Sequence, residues 1–62
     1  MTAVYKYESV HKDTGVTKMY QVDNYTVAKN GDNVRIIGVE GNSVVNDLVM
    51  AEIKDAIANL GR

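Results

Sequence analysis

Val16-Thr17-Lys18-Met19-Tyr20-Gln21-Val22-Asp23-Asn24-Tyr25-Thr26-Val27-Ala28-Lys29, residues 16–29, is the stretch on which the fold turns. It is rich in β-branched and aromatic residues and reads as one long extended segment. Side chains alternate between the two faces of a strand. Val16, Tyr20 and Val22 therefore fall on one side, and Met19, Tyr25 and Val27 on the other. A strand of this length is unusual in so small a protein, so a bend or bulge is expected near Asp23-Asn24.

Working outward, Val4, Tyr5, Tyr7 and Val10 mark a first strand over about 3–11. Lys12-Asp13-Thr14-Gly15 supplies its turn, either as a two-residue Thr14-Gly15 loop or as a three-residue Asp13-Thr14-Gly15 loop with a bulge at Gly15. The two-residue form pairs Tyr7 with Val22 and Lys6 with Asp23; the three-residue form shifts every partner by one. On the other side Asn30-Gly31 is a strong hairpin signal. It leads into a third strand over about 33–39. Closing that hairpin on Lys29 and Asp32 sets Val27 opposite Val34 and Tyr25 opposite Ile36, with Asn24, Thr26 and Val22 opposite Ile37, Arg35 and Val39.

A helix is expected over about 46–60. Asn46 is its N-cap, Asp47 complements the dipole in the first turn, Val45 and Met50 form a staple, and Gly61 stands just past the end. Val45, Val49, Ile53, Ala56, Ile57 and Leu60 make one apolar stripe. Leu48 lies off it, pointing outward. The expectation is a single α+β domain over residues 1–62, a three-stranded antiparallel meander with a C-terminal helix on one face (β-β-β-α). The helix is matched best by Val22, Ile37 and Val39 with Tyr20 and Tyr5 or Tyr7.

Composition narrows the class. The 62 residues include no cysteine and one histidine, His11. Disulfides, thiolate zinc sites and imidazole clusters are therefore excluded as supports, and self-association is the one common support left. Net charge is −1 with 45% hydrophobic residues, which fits neither a dedicated nucleic-acid binder nor a disordered protein. Apolar runs grow no longer than Leu48–Ala51 and no leader pattern opens the sequence, so no membrane partner is expected and the expected location is the cytoplasm.

No motif assembles a reaction. Asp13-Thr14-Gly15 resembles the aspartic-protease triplet over three residues. That chemistry needs two aspartates sharing a proton, and no apolar run precedes this one, so a turn is the reading taken. His11 beside Asp13 has no second ligand or nucleophile. Glu52 and Asp55, three apart on the helix, solvate its outer face. Gly38–Ser43 lacks the lysine or third glycine of a phosphate loop. Asn24-Tyr25-Thr26 matches a glycosylation sequon, which is expected to be idle because no secretory route is expected. No catalytic, cofactor or metal residues are assigned.

What remains is surface. One helix covers one sheet face, which leaves Met19, Tyr25, Val27, Val34 and Ile36, with Leu48, as a candidate interface. The expected function is a small non-enzymatic protein-interaction module. It would be a homodimer acting as an accessory or inhibitor protein in the style of phages and mobile elements, by binding a larger, unidentified protein. The alternative is a weak binder of single-stranded nucleic acid, stacking bases on Tyr5 and Tyr7 and meeting phosphates with Lys6, Lys18 and Arg35.

Overall fold

The structure, a computed structural model, describes residues 1–61. Strands β1 (Ala3–His11), β2 (Gly15–Val22), β3 (Tyr25–Asn30) and β4 (Asn33–Val39) precede helix α1 (Asp47–Ala58) and a 3-10 turn, Asn59–Gly61. The strands form one antiparallel sheet in the order β1-β2-β3-β4. The α+β class, the antiparallel sheet and the C-terminal helix are as expected. The strand number is four, not three.

The additional strand comes from the long central stretch, which folds back on itself at Asp23-Asn24. Val22 pairs with Tyr25 across this turn, and Asp23 takes a left-handed φ of 50°. A short polar side chain tolerates that conformation where a branched one does not. The turn is also strapped. Asp23 N–H donates to the Thr2 carbonyl at 3.3 Å, Thr2 N–H donates to Asp23 Oδ1 at 3.3 Å, and Asn24 Nδ2 donates to Ser43 Oγ at 3.2 Å.

This turn changes which residues share a face, because directly paired residues point the same way. Val22 with Tyr25 and Tyr20 with Val27 now stand on one side. Tyr25 and Val27, expected on the face away from Tyr20 and Val22, thus join them on one face of a hairpin, while Met19 stays on the other.

Both neighbouring registers differ from the sequence expectation. The first hairpin closes on His11 and Gly15 with Lys12, Asp13 and Thr14 in the turn. Ala3 therefore meets Val22 and Tyr7 meets Met19, with a register shift at Lys6. The last hairpin turns at Gly31-Asp32, one residue later than expected, so Val27 meets Ile36, Lys29 meets Val34 and Tyr25 meets Val39. Gly31, at φ +58°, supplies the left-handed residue at the first turn position. Asn30 is thereby left in the strand, where its side chain has partners. A second register shift, between the pairs at Thr26 and Val27, leaves Ile37 unpaired and exposed, so it does not face the helix as expected.

The core lies between one sheet face and α1. Ala3, Tyr20, Val22, Tyr25 and Val27 meet Ile53 and Ile57, with Val34, Ile36, Val49 and Ala56 packed at the margin. Each fully buried Val or Ile contributes about 1.5–3 kcal/mol. The helix begins as read: Asn46 Oδ1 accepts from Val49 N–H at 2.8 Å, and Asp47 lies in the first turn. It stops at Ala58 rather than Leu60. Asn59 N–H reaches the Asp55 and Ile57 carbonyls and the last turn tightens.

The opposite sheet face is largely polar, carrying Ser9, Thr17, Gln21, Thr26, Asn30, Asn33 and Arg35. Thr26 Oγ1 donates to Gln21 Oε1 at 3.1 Å, so cross-strand partners on this face satisfy one another. Met19 and Ala28 are buried at its centre, in the row Tyr7–Met19–Ala28–Arg35.

Candidate interface

The segment after β4 is fixed by polar contacts to the turn between β2 and β3. Glu40 N–H donates to the Asn24 carbonyl at 2.9 Å, and Ser43 Oγ donates to the Glu40 carbonyl at 3.0 Å. Tyr25 Oη, at the edge of the core, donates to the Val44 carbonyl at 2.6 Å. Tyrosine suits this place because its ring fills the core while its hydroxyl reaches a backbone acceptor.

These anchors gather apolar side chains in one region. Val39 lies opposite Tyr25 on β4, Val44 sits at its hydroxyl, and Val45 and Leu48 follow at the start of α1. Ile37, left unpaired at the β4 irregularity, is exposed on the same edge strand as Val39. Ile37, Val39, Val44, Val45 and Leu48 all remain exposed, Leu48 to 67% and Val44 to 61%. The region borders an edge strand, since β4 has a sheet partner only in β3. Unpaired edge groups beside exposed apolar side chains favour association.

A second apolar area lies at the other end of the helix. Tyr5, Tyr20, Ile57 and Leu60, with Glu8 and Lys18, line an open groove of about 450 Å³. Tyr5 packs edge-on against Tyr20, with ring centroids 5.6 Å apart at 65°. Beyond it Val10 and Val16, paired at the first hairpin, are both exposed.

The expected interface residues divide. Tyr25 and Val27 are buried in the lone protomer, and Val34 and Ile36 are packed against the core, so none of these forms an open surface. Met19 is on the opposite face and also buried. Leu48 alone is well exposed, as its position off the helix stripe implies. The structure adds Ile37, Val39, Val44 and Val45. The sequence signal for Val44 and Val45 was their adjacency just ahead of the N-cap; nothing marked Ile37 and Val39 as exposed.

The alternative nucleic-acid residues do not share a platform. Tyr5 and Lys18 stand on the helix side of the sheet, whereas Tyr7 and Arg35 stand on the other, with Lys6 at the irregularity between Tyr5 and Tyr7. The polar face holds a shallow recess of about 430 Å³ lined by Thr14, Thr17, Ala28, Asn30, Asn33 and Arg35. No metal-sized group of three His, Asp or Glu side chains occurs among the described residues, and no helix among them is long and apolar enough to cross a membrane. No protein-family model matches the sequence, and neither a curated protein nor a solved structure gives a match.

Proposed function

We propose that this protein is a small non-enzymatic interaction module that forms a homodimer through the edge of β4 and the start of α1. The dimer then acts as an accessory or inhibitor protein on a larger protein, in the style of phage and mobile-element factors. The observation that carries this reading is the exposure of Ile37 and Val39 on an edge strand and of Val44, Val45 and Leu48 in the segment that leads from it into α1. A second copy is the simplest occupant, because a protein of this length without disulfides has a small core to stand on.

Sedimentation equilibrium at micromolar concentration tests it. The expected result is a dimer for the wild type and a folded monomer for Leu48→Asp and Val44→Asp, whose side chains project from the surface. Val10→Asp, at the far hairpin, leaves the dimer intact. A well-folded wild-type monomer throughout the micromolar range overturns the proposal, as does a dimer lost only with Val10→Asp.

A further inference from the structure

Asn30-Gly31 carries a chemistry separate from its turn. The Gly31 backbone nitrogen can attack Cγ of Asn30, the carbonyl carbon of its amide. A new carbon–nitrogen bond forms, the bond from Cγ to Nδ2 breaks, and the Gly31 amide proton leaves with the amide group as ammonia. Water then opens the cyclic imide at either carbonyl, giving Asp or iso-Asp. Glycine favours the step because no side chain crowds the attacking nitrogen.

Two features restrain this reaction in the folded protein. Asn30 is the last residue of β3 and pairs with Asn33, so its backbone is extended and the next nitrogen is turned away from its side chain. Its amide is also held. Asn30 Nδ2 donates to the Thr14 carbonyl at 2.7 Å and to Thr17 Oγ1 at 3.2 Å, which employs both of its hydrogens. A carbonyl oxygen only accepts, so the Thr14 contact fixes which way the amide points. Thr14 lies in the first turn and Thr17 on β2. The group that the reaction consumes is therefore the tie between the ends of the two outer hairpins.

We infer that Asn30 is a deamidation site gated by local opening of these hairpin ends, and that its conversion prevents full reclosure. The aspartate carboxylate formed at this position has no hydrogen to give the Thr14 carbonyl, and the two acceptors repel. Iso-Asp carries the main chain through the side-chain carbon and displaces the Asn30–Asn33 pair. Each opening that runs to product thus removes the contact that kept the site closed.

The test is ageing of the intact protein in mildly alkaline buffer, read by peptide mass spectrometry and an iso-Asp assay. The peptide containing residue 30 is expected to convert at least about tenfold more slowly in the native protein than in urea. Thr17→Val removes one acceptor and should speed native conversion by roughly two- to tenfold. Tyr25→Phe, which removes a hydrogen bond distant from the hairpin ends, serves as the comparison. It should leave conversion at residue 30 near the wild-type rate. Equal rates in native buffer and urea would overturn the inference. So would a Thr17→Val rate equal to wild type, or an acceleration by Tyr25→Phe that matches it.

Discussion

Val27→Thr and Val10→Thr make the same chemical change in opposite surroundings. Threonine keeps the shape and strand preference of valine, so neither variant opens a cavity and only the new hydroxyl differs. Val27 has no exposed surface and is enclosed by the core, whereas Val10 is 76% exposed at the first hairpin. Backbone groups around Val27 are committed to its pairing with Tyr20 and Ile36. A hydroxyl buried there without a partner costs about 1–3 kcal/mol. A protein of 62 residues retains roughly 3–9 kcal/mol in all, so the loss is a substantial share of the total. Urea titration followed by circular dichroism should show it, and in thermal melts each kcal/mol lowers Tm by roughly 4–8 °C. Val10→Thr should stay within about 0.5 kcal/mol of wild type. If Val27→Thr matched Val10→Thr, Val27 would not lie beneath the helix. The turn at Asp23-Asn24, which puts it there, would then be wrong.

The same turn can be probed directly. Asp23→Val forces a β-branched residue into a φ of 50° and should cost about 1–2 kcal/mol, whereas Asp23→Gly, freed of that strain, should cost less. At the start of α1, Asn46→Ala removes the acceptor for Val49 N–H and should cost about 0.5–2 kcal/mol with a loss of helical dichroism; Asn46→Asp keeps an acceptor and should hold the helix.

The helix was legible because its signals are local. Asn46, Asp47 and the stripe through Ile53 and Ile57 depend only on spacing. The cap, the first-turn acid and Val49, Ile53, Ala56 and Ile57 act in the structure as read, while Val45 and Leu60, at the two ends of the stripe, are exposed. The outward position of Leu48 follows from the same projection. The central strand misled because alternation is counted along an uninterrupted ribbon, and Asp23-Asn24 lacks the glycine that marks the commonest two-residue turns. Once the backbone reverses there, the residues of β3 change face relative to the count. That single reversal moved Tyr25 and Val27 from the supposed interface into the core. The Asn30-Gly31 signal placed its hairpin correctly but was one residue early. The tie from Asn30 to Thr14 and Thr17 comes from a distant part of the sequence, and no local pattern encodes it.

The same reversal changes the reason to expect association. A single ribbon with two apolar faces would require a partner across a broad sheet surface. The four-stranded sheet instead satisfies its second face with hydroxyls and amides around Met19 and Ala28. What remains apolar lies at the margins, and the two sheet edges are unlike. On β1 the irregularity at Lys6 and the charge of Glu8 are features that blunt an edge against pairing. On β4 the irregularity falls at Ile37, on the same strand as Val39, and Val44, Val45 and Leu48 follow, exposed, in the segment that leads into α1. An interrupted ladder limits backbone pairing along β4, yet the interruption itself exposes an apolar side chain. A contact built there would rest on packed side chains rather than on an added strand. Its strength would follow apolar area removed from water and respond weakly to salt.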